Sequence, residues 1–170
     1  MNKILLAAML FCCNVQAGVL VIGDSISAQV HSWPTHLRDM TGDNVMVMAQ
    51  NGRTIRDFTL PNDLVAMPNV DTVVYFLGAN DVIKRTPIRT VAERALTQLR
   101  FLKDRNFRVI VVLVPDFGDV SQVNRILGNK ARGLKMEIIT LDWDSSLTYD
   151  GIHPLRSLSR QIASQIFNAI

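Results

Sequence analysis

Beyond residue 13 the chain has no cysteine, because both of its cysteines, Cys12 and Cys13, lie near the start. The rest of the chain therefore forms no disulfide even in an oxidising compartment, and its stability must come from packing. Charge is sparse: 18 Lys and Arg against 15 Asp and Glu leave a net +3. No run of Lys or Arg interleaves with aromatics, so nucleic acid is not expected as a partner. No G-x-x-x-x-G-K-[ST] phosphate loop follows any apolar run. No His/Cys/Asp/Glu set has metal-ligand spacing, and Asp150 with His153 alone is too small a set for zinc, so no metal site is expected. Internal repeats and low-complexity stretches are missing too. What is present suits one ordinary domain: 170 residues, 48% hydrophobic and 19% charged.

One unbroken apolar run, Ile4 to Cys13, follows Met1-Asn2-Lys3. Ten residues are too few to span a bilayer, which takes about twenty. Asn14-Val15-Gln16-Ala17 then ends on a small residue, the layout of a secretory signal peptide cut after Ala17. The competing reading is a buried helix of the domain, but the fold below is complete without this segment. Phe11 precedes Cys12 and Cys12 precedes Cys13, so neither cysteine follows the small residue that lipidation requires. The expectation is a cleaved signal at 1–17 and a single domain at 18–170, secreted or periplasmic, monomeric and without a stable membrane anchor.

Five apolar runs rich in β-branched residues predict strands: Gly18–Ile22, Asn44–Met48, Thr72–Leu77, Arg108–Val114 and Glu137–Leu141. Helical patterns lie between them. Ile88, Val91, Ala92, Ala95, Leu96, Leu99 and Leu102 share one helix face, as do Leu155, Leu158, Ile162, Ile166 and Phe167 in the last segment. Pro34 suits the first turn of a helix reaching about Met40. The predicted class is α/β: a three-layer α/β/α domain with a five-stranded parallel sheet in flavodoxin-like order, the first strand central. Such sheets bind ligands beyond the carboxyl ends of their strands.

Four of those ends carry polar groups. Gly23-Asp24-Ser25-Ile26-Ser27 follows the first strand, Asn51-Gly52-Arg53-Thr54 the second, Gly78-Ala79-Asn80-Asp81 the third, and Asp150-Gly151-Ile152-His153-Pro154 the fifth. A serine hydroxyl attacks a carbonyl only when an imidazole takes its proton, and a carboxylate must hold that imidazole in the right tautomer. Ser25 is the candidate nucleophile, His153 the base and Asp150 the orienting carboxylate. The Ser25 and Gly52 N–H groups and the Asn80 amide are the candidate oxyanion donors. Asp24 and Asp81 are expected to support their loops. Each piece alone reads as an ordinary cap or turn. Four in this order, each after its own strand, point to acyl transfer.

These blocks resemble the SGNH (GDSL) hydrolases, named for a Ser, a Gly, an Asn and a His in four sequence blocks. Ile26 stands where that family commonly has Leu. The resemblance runs from Val19 to the last helix and is nearest to the compact secreted esterase, thioesterase and lysophospholipase type. It implies an α/β/α hydrolase that needs no cofactor and acts on a small-molecule, lipid or sugar ester. Gly52-Arg53-Thr54 also resembles the Gly-Arg-Ser of carbohydrate acetylesterases in the same family. With no room for a lid domain, the cleft is expected to be open and to favour short to medium acyl chains.

Further readings accompany these. His31 and His36 are expected at the surface or at caps, and Met46, Met48 and Met67 in the core. Val82 and Ile83 suit either an acyl-pocket wall or ordinary packing. The functional alternative of a different class is a non-catalytic flavodoxin-like glycan-binding module. A phosphorylated receiver is disfavoured because the third strand ends in Leu77-Gly78 rather than an acceptor aspartate.

Overall fold

A computed structural model describes residues 18–42, 44–61, 64 and 69–170. The expected signal segment and Met67 lie outside the described residues. The elements run β1 (Gly18–Gly23), α1 (Ser25–Ala28), α2 (Trp33–Thr41), β2 (Val45–Ala49), β3 (Val70–Phe76), α3 (Ala79–Ile83) and α4 (Ile88–Lys103). They continue as β4 (Arg108–Val112), α5 (Ser121–Gly133), β5 (Glu137–Ile139), a 3-10 turn at Ser145–Leu147 and α6 (Arg156–Phe167).

All four strand pairings are parallel and the order is β2-β1-β3-β4-β5. This is the flavodoxin-like order expected, although β3 rather than β1 takes the midpoint. The chain leaves β1 toward β2 and later leaves β3 in the opposite direction. Right-handed crossovers therefore put α2 on one face of the sheet and α4 and α5 on the other. The last helix, α6, packs against α2. The reversal between β1 and β3 opens a crevice at their carboxyl ends.

The apolar runs explain the layering. Val19 to Ile22 and Val73 to Phe76 are buried, as internal strands covered on both faces must be. The edge strand β2 departs from this. Met46 is 43% exposed and Val47 42%, so Met46 is not a core residue, and Met48 is only partly buried. An edge strand has a neighbour on one side alone, and its composition does not reveal which strand that will be.

The β2–β3 connection carries no α-helix among the described residues. Side chains from elsewhere hold it instead. Gln98, buried on α4, donates from Nε2 to the carbonyls of Ile55 (2.8 Å) and Phe58 (2.7 Å) and accepts at Oε1 from the Tyr75 hydroxyl (2.5 Å). Every polar end of that buried cluster is satisfied, which fixes the connection beside the sheet rim. His36 corrects another expectation. It is 8% exposed, packed between α2 and α6, where burial first, then Arg160 and Arg156, hold its pKa below the ordinary value.

Candidate active site

The site begins where β1 ends. Asp24 takes extended backbone angles and caps α1, its Oδ1 accepting from the Ile26 N–H at 3.0 Å. That turn puts Ser25 first on α1, half-buried at the rim. Gln29 is extended and ends α1 after four residues, and α2 starts afresh at Trp33, with Pro34 in its first turn as the sequence predicts. One turn sums few peptide dipoles, so it contributes little field at Ser25.

His153 comes from the tight turn between the 3-10 segment and α6. An isolated bridge pairs Thr148 with Pro154 at its base, and the Tyr149 N–H donates to the His153 carbonyl at 3.1 Å. Asp150 organises the turn from inside. Its Oδ1 accepts from the backbone N–H of His153 (2.7 Å) and of Ile152 (3.0 Å), while Oδ2 lies 2.6 Å from His153 Nδ1. Partial desolvation would raise the Asp150 pKa. The His153 backbone and ring bonds, followed by the Ile152 bond, outweigh it and hold the carboxyl below its ordinary value. An ionised carboxylate on Nδ1 fixes the proton there and leaves Nε2 as an acceptor. Nε2 lies 2.9 Å from Ser25 Oγ. The structure thus brings Ser25, His153 and Asp150 into one hydrogen-bonded line.

The loops after β2 and β3 meet on the same rim. Gly52 has a left-handed φ of 71°, and its carbonyl accepts from Lys84 Nζ at 2.7 Å. Among the described residues, neither the Ser25 nor the Gly52 N–H is committed to a hydrogen bond. Asn80 sits on α3, 8% exposed, and its Nδ2 is shielded from solvent with no hydrogen-bond partner. A buried donor left open in this way is costly unless a ligand or water meets it. Beside it lies Asp24, 1% exposed. Burial raises the Asp24 pKa to about 6, against the Ile26 bond, polar contact with Asn80 and the charge of His153, all of which lower it.

Asp81 reaches across to the loop after β2, accepting from the Ile55 N–H at 2.6 Å. Its pKa too is raised by burial and lowered in part by that bond and by Thr86. Arg53 was visible in the sequence only as part of a motif. Its guanidinium donates to the Met48 carbonyl (2.5 Å), the Gly23 carbonyl (3.4 Å) and Gln50 Oε1 (3.3 Å), and lies over the Phe58 ring. It ties together the ends of β1 and β2. Lys84 and Gln98 carry no sequence signal for their roles, because each is defined by a carbonyl distant in sequence. Of the two candidate pocket residues, Val82 packs partly against the core and Ile83 is 52% exposed.

Comparisons with solved structures agree with this architecture. The chain is similar to a G-D-S-L family protein from Desulfitobacterium hafniense DCB-2, at 17% identity over 91% of this chain and 99% of that one, TM-score 0.77. It is similar to the acetyl xylan esterase AlAXEase, at 20% identity over 90% and 99%, TM-score 0.75. It is also similar to the psychrotrophic esterase EstA from a Pseudoalteromonas species, at 17% identity over 89% and 94%, TM-score 0.73. No protein-family model and no curated protein matches the chain. The fold is that of the G-D-S-L and SGNH-type hydrolases.

Proposed function

We propose that this chain is a hydrolase of carboxylic or thioesters that works through an acyl-enzyme on Ser25. The observation that carries the reading is the line Asp150–His153–Ser25, with separations of 2.6 and 2.9 Å. His153 Nε2 accepts the Ser25 proton as Oγ bonds to the ester carbonyl carbon, and the carbonyl π pair moves onto oxygen. Asp150 keeps Nδ1 protonated and stabilises the imidazolium. The oxyanion draws on the uncommitted Ser25 and Gly52 N–H groups and on the open Asn80 amide. Collapse breaks the bond to the leaving alcohol or thiol, which departs with the His153 proton. Water then attacks the acyl-serine with His153 again as base, releasing the acid and restoring Ser25.

Short to medium acyl groups fit the surroundings best. The depression beside Gly52, about 560 Å³, is lined by Gln50, Asn51, Arg53 and Asp57 as well as Met48 and Phe58. That mixed, open lining gives a long alkyl chain little continuous apolar surface. A carbohydrate acetyl ester is the second substrate reading, favoured by Gly52-Arg53-Thr54 and by the fold shared with an acetyl xylan esterase. The 18–170 domain acts outside the cytoplasm as a monomer in this proposal, after removal of residues 1–17.

A p-nitrophenyl ester series from acetate to palmitate, run beside acetylated xylo-oligosaccharides, tests the substrate reading. Turnover highest on acetate to hexanoate supports it, and a tenfold preference for palmitate contradicts it. The export reading predicts a mature N-terminus at Gly18 in a periplasmic fraction. A full-length cytoplasmic chain contradicts it.

A further inference from the structure

Ser25 and Gln29 stand four residues apart, at the start and the C-cap of α1. Tyr149 and His153 stand four apart in the turn that faces them. The two pairs meet rung to rung. Ser25 Oγ meets His153 Nε2 at 2.9 Å, and Gln29 Nε2 donates to the Tyr149 hydroxyl. The Tyr149 ring lies parallel to the imidazole, 5.5 Å between centroids and 13° between planes. One side chain therefore stacks on the base and is itself held from the nucleophile's own helix.

The turn needs such a tie. Its hydrogen bonds are mostly internal: Gly151 N–H to Thr148 Oγ1, Ile152 and His153 N–H to Asp150, Tyr149 N–H to the His153 carbonyl, and Leu155 N–H to the Leu147 carbonyl. These bonds fix His153 relative to Asp150. They say nothing about where the pair sits relative to Ser25. Leu147 and Ile152 pack partly on the core and Pro154 is buried, whereas Tyr149 and Asp150, the residues nearest the base, are exposed. Apart from the reacting contact itself, Gln29–Tyr149 is the side-chain hydrogen bond between α1 and this turn among the described residues.

We propose that Gln29 and Tyr149 form a latch that sets the register of the His153 turn against Ser25, with Tyr149 the positioning residue for the base. The proposal rests on the Ser25 hydrolase reading. A near-attack geometry is sensitive to shifts of about an ångström, so losing the latch should lower kcat rather than substrate affinity. Tyr149→Phe keeps the stack and removes the rung, and Gln29→Ala removes the same rung from the other side. Each should reduce kcat about three- to tenfold, the factor one hydrogen bond carries, with KM within about twofold of wild type. Because both delete one interaction, the double variant should be no slower than the worse single. Tyr149→Ala, which removes the stack as well, should be slower than Tyr149→Phe, and Tyr149→Trp should recover part of that loss.

The experiment measures kcat and KM for these variants on one p-nitrophenyl ester, with Ser25→Ala alongside. It also measures amide exchange across residues 149–153, which reads the latch without turnover. Faster exchange there in Tyr149→Phe and Gln29→Ala, with β1 unchanged, is expected. Wild-type exchange in both variants, multiplying losses in the double variant, or a change confined to KM overturns the latch. Undiminished turnover in Ser25→Ala overturns the hydrolase reading instead, and the exchange result then decides the latch by itself.

Discussion

A Cβ placed on Gly23 would stand 2.5 Å from Ser27 Oγ and 2.6 Å from Ser27 Cβ. The first turn of α1 folds back that closely over the end of β1, and Ser27 is pinned there because its Oγ accepts from Trp33 Nε1 at 3.1 Å. Glycine before Asp24-Ser25 is thus a packing requirement of the sharp strand-to-helix turn that presents Ser25. Gly23→Ala must push α1 outward. We expect a loss of about 1–3 kcal/mol in urea unfolding, the usual scale for overpacking. An ester-hydrolysis rate reduced at temperatures where the variant is folded should accompany it.

Asn80 offers a buried amide that completes no hydrogen bond and whose polar neighbour is the Asp24 carboxyl. Asn80→Ala should lower kcat by about 10²–10³, the effect of removing one oxyanion donor, with little change in KM. Steady-state kinetics on an acetate ester distinguishes this from a binding defect, which would raise KM at constant kcat.

Asp24 links the site to stability. Its folded pKa of about 6 lies above the ordinary 3.8, so between those values the folded chain binds a proton that the unfolded chain has lost. The contribution of Asp24 to stability is full below about pH 4 and declines as pH rises through 6. Asp24→Asn keeps an acceptor for the Ile26 N–H and removes the buried charge. Relative to wild type, it should gain about 2–3 kcal/mol at pH 7.5 and little at pH 4. Urea unfolding of both proteins at the two pH values checks the sign.

Much of this was legible in the sequence because it depends on local pattern. Continuous apolar runs marked all five strands to within a few residues, and the four polar blocks after four of them meet on one rim of the sheet. What was not legible depends on partners far along the chain. Met46 looks like core in a run of apolar residues, and only the strand order shows that β2 is the edge. His36 reads as a surface helix residue until α6 covers it. The short reach of α1 follows from the extended backbone at Gln29, which no propensity at Ser25–Ala28 announces.

Gln98 shows the same limit from the side of stability. It occupies an apolar helix face, yet it serves the Tyr75 hydroxyl and two loop carbonyls. Gln98→Leu would leave those three buried groups unmatched, and we expect about 2–4 kcal/mol of destabilisation from the lost bonds and desolvation. Thermal unfolding should show it as a single lowered transition.

The most direct test of the central claim is turnover of a p-nitrophenyl ester by Ser25→Ala and His153→Ala, with circular dichroism confirming that both variants fold. We expect losses of several orders of magnitude in kcat for each, the usual scale for such groups, and no further loss when the two are combined. Folded variants that retain activity within about tenfold of wild type would contradict it.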